Sequence, residues 1–338
     1  ILGERHTFFV NPIYDATSRT SVPVTLEYVG THAYFYVEDA YLDSLRPYER
    51  AVFDQQIIVL AQEFDNNIYP KETAFWGSEA NPGIDNDSKI TILLERLTSG
   101  TGGYFDSVNG YMTTQTSQTN QREMITANVL SLGTSHLKIF LAHELQHLIS
   151  FNQKELLRDT SEDTWLNELR SQYAITLVGY NDYFQNSDLA QRTQTFLNNP
   201  TDSLTEWPNT NLDYAVVTLF GQYLVDRFGP TILQDTLRSS LAGIDSINKY
   251  LAGHQSLENF KDVFADWVWT NYYNNQTQDV RYGYVNPNLQ TIHVAPTDSK
   301  QLTFQNINFY SYPLKPWQSA WYQFRTDSSA PAGQNIKI

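Results

Sequence analysis

The chain has 338 residues, of which 41% are hydrophobic and 17% charged, so it can bury the core of one large or two medium domains. Its net charge of −15, without any basic stripe, argues against nucleic acid or an anionic membrane as a partner. Cysteine is absent, which excludes disulfides, and no apolar run is long enough for a transmembrane segment.

The first hundred residues alternate between predicted strands and a helix. Short strands are predicted at residues 7–10, 22–29 and 33–37, where β-branched and aromatic residues are interrupted by Asn-Pro and Gly. Apolar residues at helical spacing predict a helix over 48–68, and a continuous apolar run predicts a buried strand over 89–94.

Two polar segments flank that buried strand. The loop 81–88 contains Asp85 and Asp87, whose oxygens suit Ca2+, but it lacks an EF-hand pattern and an ordinary turn is favoured. Residues 98–121 are rich in Gly, Ser, Thr, Gln and Asn, which predicts a mobile loop that overhangs a cleft. Residues 123–129 then alternate like a strand.

An H-E-x-x-H stretch, His143 to His147, lies inside an apolar, helix-like run over 135–152. Because positions i and i+4 share one helix face, the two imidazoles can bind a single metal ion, with Glu144 beside them. Two satisfied histidines on a buried helix would give the same pattern. The opposite face has core spacing, carried by Leu137, Leu141, Leu145 and Leu148.

A zinc site needs a third protein ligand, and the sequence has no third histidine at the short metzincin spacing. Instead Glu168 follows His147 after a loop and opens a second helix-like run. A glutamate in a first helical turn is by itself a common dipole partner. Two histidines on one helix and a glutamate on the next, however, form the ligand layout of the gluzincin peptidases.

Residues 142–154, followed by Trp165-Leu166-Asn167-Glu168, resemble the hyicolysin-type family of secreted neutral zinc metallopeptidases. Segments 3–10, 103–106, 122–125 and 214–229 are also similar to that family, so that the resemblance spans roughly residues 1–275. One departure is visible. Such families continue the Asn-Glu pair with Gly and a small residue, whereas this chain has Leu169-Arg170.

The resemblance implies an α+β, gluzincin-like fold: an N-terminal mixed sheet with the active-site helix, a helical C-terminal half and a short β-rich C-terminal extension. Residues 123–129 would be the edge strand, antiparallel to a bound substrate. The expected domains are an N-terminal β segment, the metallopeptidase domain and the start of a β-rich appendage, at residues 1–36, 37–285 and 286–338. Helices are predicted at 212–228, 231–240 and 244–251, an apolar core stripe at 257–272, and short strands at 291–294, 302–304 and 319–324.

The resemblance also implies the roles of the site residues. His143, His147 and Glu168 would hold one catalytic Zn2+ with water in the fourth position, and Glu144 would act as general base. Gluzincins supply a further donor to the transition-state oxyanion from their helical half. Tyr214, which opens the matching helix, is the first choice for that donor, and Tyr173 is the second. Neighbours in sequence that could orient the ligands are Asn167, Ser171 and Gln172.

These observations predict a secreted zinc endopeptidase, bacterial or archaeal, that acts as a monomer on polypeptides. Abundant Tyr, Asn, Gln and Thr with few Lys suit export, and, since no signal peptide is visible, the numbering is expected to start at a processed end. Two alternatives remain open. One is a catalytically silent metallopeptidase-like adhesin or binding module; the other is a zinc hydrolase of small amides or esters.

Overall fold

A computed structural model describes residues 1–302 and 312–326 of the chain. Near the N-terminus, strands pair into one mixed sheet in the order β1-β2-β3-β4-β6-β5. Strands β1 to β3 are antiparallel neighbours, β3, β4 and β6 are parallel, and β5 is antiparallel to β6. The strands are β1 (Arg5–Phe9), β2 (Ser21–Val29), β3 (Ala33–Glu38), β4 (Ile90–Glu95), β5 (Gly103–Phe105) and β6 (Met124–Asn128).

The centre of the sheet is apolar on both faces. Every residue of β4 and β6 is buried, and the side chains of Ile92, Leu93 and Leu94 are inaccessible to solvent. Parallel strands covered on both sides have such continuous apolar runs, whereas half-exposed strands alternate. The prediction of a buried strand at 89–94 is therefore confirmed.

Helices account for much of the remaining described chain. The predicted helix over 48–68 extends further than expected, because a π-helical turn (Phe64–Ile68) joins α2 (Pro47–Glu63) to α3 (Tyr69–Trp76). A second π-helical turn (Phe151–Leu156) prolongs α4. The helices are α1 (Asp39–Leu42), α2 (Pro47–Glu63), α3 (Tyr69–Trp76), α4 (Ser135–Ser150), α5 (Thr164–Leu177), α6 (Asp188–Asn198), α7 (Asn211–Phe228), α8 (Thr231–Leu237), α9 (Gly243–Gly253) and α10 (Phe260–Tyr273).

The chain divides into two compact units. The first comprises Ile1–Tyr183 and Thr231–Ser246 and contains the mixed sheet with α4 and α5. The second comprises Phe184–Pro230 and Ile247–Ile338 and contains α6, α7, α10 and a parallel pair of strands, β7 (Asp298–Leu302) and β8 (Tyr322–Thr326). The N-terminal sheet and the helical C-terminal half agree with the predicted fold. The domain boundaries at 36 and 285 stay predictions.

The prediction that residues 123–129 form the edge strand is wrong. Strand β6 lies between β4 and β5, and the edge is β5, inside the segment predicted as a mobile loop. The three residues of β5, Gly103 to Phe105, are too few to show the alternating period of a strand. The side-chain amide of Asn120, near the end of that segment, pairs with the backbone of Phe9 on β1, donating to its carbonyl oxygen at 2.9 Å and accepting from its N–H at 2.9 Å.

Other predictions near the C-terminus need correction. Residues 291–294 form no strand, β8 begins only at Tyr322, and Leu257 of the supposed core stripe is fully exposed. Of the strand predicted at 302–304, only residue 302 belongs to the described part of the chain, where it is the last residue of β7. Single-sequence periodicity could not separate these short segments from irregular chain, because each contains only a few apolar residues.

Candidate metal centre

Helix α4 has two distinct faces. Its leucine face is buried as predicted: Leu137, Leu141 and Leu145 have no exposed surface, and Leu148 has 3%. Helix α4 packs against β5, β6 and α5. His143 and His147 lie one turn apart on α4, and the first turns of α5 bring Glu168 against them. The packing of the apolar face thus fixes where the imidazoles point.

Three donor atoms converge at this point. The two histidine Nε2 atoms are 3.1 Å apart, and the Oε2 atom of Glu168 lies 3.2 Å from Nε2 of His143 and 3.5 Å from Nε2 of His147. Tetrahedral coordination at a metal–ligand distance of ~2.0–2.1 Å separates ligand atoms by about 3.3 Å. The spacing therefore fits one small cation such as zinc. Among the described residues, this is the one such group of three imidazole or carboxylate side chains.

The electrostatics of the cluster also favour a cation. The Oε2 atom of Glu168 is buried and accepts no hydrogen bond of good geometry from any described residue. Burial by itself raises the pKa of Glu168, but the adjacent imidazoles of His147 and His143 lower it well below its ordinary value. Burial lowers the pKa of His147, yet the charge of Glu168 outweighs it and raises that pKa to about 9. The same negative charge that holds a proton here would hold a metal ion.

Glu144 is buried beside the cluster, with 6% of its surface exposed. Burial raises the pKa of Glu144, and the charges of His143 and His147 partly oppose this shift. The backbone N–H of Phe105, on the edge strand, opposes the shift as well. A carboxylate with a raised pKa next to a metal position is suited to accept a proton and release it again.

Because it has no side chain, Gly103 allows the edge strand β5 to lie close to Glu144. A Cβ atom at Gly103 would lie 2.9 Å from the carbonyl oxygen of Thr126 and 3.1 Å from Cγ of Glu144. Both distances are tighter than ordinary van der Waals contact, so a larger residue would displace the carboxylate or the strand. This contact between β5 and Glu144 was not predicted from the sequence, where Gly102-Gly103 indicated only a flexible loop.

A buried hydroxyl group contacts Nδ1 of His147, the ring nitrogen that faces away from the three donor atoms. The hydroxyl of Ser171, one of three neighbours suggested by the sequence, lies 3.1 Å from Nδ1 of His147 and 2.6 Å from Oε1 of Gln146. Gln146 was missed because it occupies an unremarkable position inside the H-E-x-x-H stretch. Its signal was a polar residue on an otherwise apolar part of the helix.

The departure from the family pattern at Leu169-Arg170 does not reach the metal cluster. Leu169 and Arg170 are both fully buried, and Arg170 donates to Glu162 at 2.7 Å. Lys154 lies 3.2 Å from the same carboxylate and donates to the carbonyl oxygen of Ser239 at 3.1 Å. Burial raises the pKa of Glu162, but these two cations lower it below its ordinary value. This buried ion cluster anchors the chain just before α5.

The two tyrosines predicted as oxyanion donors lie in different units. Tyr214 belongs to α7 of the second unit, where its hydroxyl donates to Oδ1 of Asn209 at 3.1 Å. Tyr173 belongs to α5 of the first unit, and its ring packs against the rings of Phe75 and Trp76. The role of either tyrosine stays a prediction.

The carboxylates of the loop 81–88, which was considered for calcium, stabilise the kind of turn that the sequence favoured. Asp85 accepts from the backbone N–H of Asp87 at 3.0 Å, and Asp87 accepts from that of Lys89 at 3.0 Å. Asp87 also accepts from the hydroxyl of Tyr34 at 3.0 Å. These bonds are those of an ordinary turn before a strand. Calcium at this loop remains an untested prediction.

Comparison with known proteins identifies a relative that is a metalloprotease. The chain is 30% identical over 271 residues to the neutral metalloprotease ShpI of Staphylococcus hyicus. The matching region covers 71% of this chain and 57% of that protein, so the chain spans little more than half the length of its relative. No protein-family model matches. The similarity supports a neutral metalloprotease family for the matching region.

We expect one tightly bound zinc ion per chain, because three converging donors with an unsatisfied buried carboxylate match the ligand set of a zinc site. Elemental analysis of the purified protein should give a zinc-to-protein ratio near one. Treatment with 1,10-phenanthroline should remove the metal, and added zinc should restore it. Absence of stoichiometric metal from the untreated protein would exclude this site.

Proposed function

We propose that the chain is a zinc endopeptidase that hydrolyses peptide bonds in extended polypeptides. The observation that supports this proposal best is the convergence of two imidazoles and a buried carboxylate, with a second carboxylate, Glu144, beside them. The similarity to a neutral metalloprotease points to the same chemistry. In this proposal His143, His147 and Glu168 hold the zinc ion.

A zinc ion bound there would lower the pKa of a water molecule and polarise the carbonyl group of the substrate. Glu144 then acts as the general base: it takes a proton from the water and delivers it to the departing amine. Its burial favours the neutral form and the nearby imidazoles favour the charged form, so the two states are closer in energy than for an exposed carboxylate.

The edge strand β5 is the proposed binding surface for substrate. The N–H of Asn128 on β6 donates to the carbonyl oxygen of Gly102 at 2.9 Å, and pairing alternates along an antiparallel ladder. The backbone groups of Gly103 and Phe105 therefore point away from β6. An extended peptide can add to such an edge by backbone hydrogen bonds, and it would then lie next to Glu144.

The alternatives are less well supported. A silent adhesin or binding module would have little reason to keep Glu144, His143, His147 and Glu168 together. A hydrolase of small amides or esters would not need the backbone edge. No helix among the described residues is both long and apolar enough to cross a membrane. Secretion and a monomeric state remain part of the proposal, and a casein assay with and without chelator tests the activity directly.

Replacing Glu144 with Gln should abolish nearly all proteolysis while the protein keeps its fold and its zinc. Glu144 is proposed as a base and not as a ligand, and loss of a general base typically costs roughly 100- to 10,000-fold in rate. Casein hydrolysis and zinc content are measured on the same preparation, with His147→Ala as the variant that should lose zinc. A Glu144→Gln protein as poor in zinc as His147→Ala would refute the assigned role.

Replacing Gly103 with Ala should lower kcat/KM by about tenfold or more without loss of zinc, because the new methyl group displaces Glu144 or the edge strand. Gly253→Ala is the matched control, since a Cβ atom at that position meets no other atom within 4 Å. Peptide hydrolysis and zinc content are compared for the two variants. Wild-type kcat/KM in Gly103→Ala would show that the close approach of β5 is dispensable.

Replacing Tyr214 with Phe should lower kcat far more than it raises KM, by ~100- to 1000-fold, if its hydroxyl stabilises the oxyanion of the transition state. Removal of the hydroxyl alone spares the packing of the ring. Tyr173→Phe is the comparison variant and is expected to matter less, because its ring packs against Phe75 and Trp76. The reverse result would transfer the role to Tyr173, and little loss in both would exclude both tyrosines.

A further inference from the structure

A hydrogen-bonded series of buried polar side chains lies on the Nδ1 side of His147 and has no part in the proposed chemistry. Gln146 and Ser171 have no exposed surface, and Ser150 has 3%. Polar groups buried in an apolar helix interface destabilise the fold unless they are hydrogen-bonded. Here they bond to one another and to His147, which suggests that their positions serve the ligand and not only the core.

The hydroxyl of Ser171 has three neighbours but only one proton to donate. It lies 2.6 Å from Oε1 of Gln146, 3.1 Å from Nδ1 of His147 and 3.3 Å from the backbone carbonyl oxygen of Asn167. The contact to Gln146 is the shortest, and an amide oxygen can only accept. The proton of Ser171 therefore goes to Gln146, and Ser171 must accept at its contact with His147. Nδ1 of His147 is then the donor.

The orientation of the Gln146 amide decides which atom donates in each of these hydrogen bonds. Its Nε2 atom donates to the hydroxyl of Ser150, one turn further along α4, at 3.0 Å. If the amide were reversed, it would donate to Ser171, and the hydroxyl proton of Ser171 would be free to point at His147. That arrangement would favour a proton on Nε2 of His147, the atom that lies 3.1 Å from Nε2 of His143 and 3.5 Å from Glu168.

We propose that Ser171 and Gln146 form a directional hydrogen-bond relay that keeps the proton of His147 on Nδ1 and leaves Nε2 free to bind the metal ion. The inference rests on the proposed metal site and adds two positioning residues to it. Neither residue touches the metal or the substrate. The relay also fixes the plane of the imidazole ring, since Nδ1 is held from one side while Nε2 faces Glu168 on the other.

Zinc affinity of the full chain, measured by competition with a chelator, tests the relay. Ser171→Ala removes the acceptor for Nδ1, and we expect zinc affinity to fall by roughly 10- to 100-fold, as for other partners of metal-bound histidines. Gln146→Met has nearly the same volume but removes the acceptor for Ser171, whose proton can then turn towards Nδ1. It should lower zinc affinity although Ser171 is intact.

The double variant shows whether the two residues act through one connection. Residues that act in series give non-additive effects, so Ser171→Ala with Gln146→Met should bind zinc no more weakly than Ser171→Ala alone. Additive losses in the double variant would overturn the relay. Ser246→Ala is the matched control: it also removes a buried hydroxyl, one that donates to the carbonyl oxygen of Gly243 at 2.7 Å, and should leave zinc affinity unchanged.

A spectroscopic readout separates the relay from a purely structural role. In the zinc-loaded wild type, nitrogen-15 NMR should show a slowly exchanging proton on Nδ1 of His147, and this signal should exchange rapidly in Ser171→Ala. Near-ultraviolet circular dichroism checks that each variant is folded, and if Ser171→Ala is not, Gln146→Met carries the test. Wild-type zinc affinity in either folded single variant would overturn the relay alone. Failure of the wild type to bind zinc would overturn the metal site and the relay with it.

Discussion

The structure of the site depends on the approach of the Glu168 carboxylate to two imidazoles. A buried carboxylate oxygen that accepts no well-aligned hydrogen bond is costly, and a cation held between Glu168, His143 and His147 would remove this cost. The arrangement persists because neither helix is free to move: α4 is fixed by its leucine face, and the start of α5 is fixed by the buried ion cluster around Glu162.

Close packing also determines the position of the edge strand β5. Because Gly103 has no side chain, β5 can pass within contact distance of Glu144. The neighbouring Gly102 is equally constrained, since a Cβ atom there would overlap the ring of Phe140 on α4. Two consecutive glycines thus bring the proposed substrate-binding edge and the proposed general base to one place. Glu144 and the edge strand β5 therefore form a single packing unit.

This packing unit lies entirely within the first compact unit, which contains the ligands, Glu144 and β5. The proposed function therefore rests on elements of one compact unit: the mixed sheet, α4 and α5. The second unit contributes Tyr214 as a predicted donor and contains the β7–β8 pair. The matching relative is longer than this chain, so the activity of the whole protein remains a proposal even where the residues of the site agree with it.

The sequence by itself determined the parts of this protein that depend on local periodicity. Spacing on one helix placed His143 and His147 together with Glu144 beside them, because helical geometry fixes which side chains share a face. Glu168 became a candidate ligand only through the resemblance to the gluzincin ligand layout. Long apolar patterns also predicted β4, α4 and α7. Only the tertiary structure decided that β5 and not β6 is the sheet edge, because a three-residue strand has no period and exists only through its pairing with β6. In the same way, the contact of Gly103 with Glu144 joins residues that are 41 positions apart, and the hydrogen bond from Ser171 to Gln146 joins residues that are 25 positions apart. Packing between elements brings these residues together, and no local pattern in the sequence indicates it.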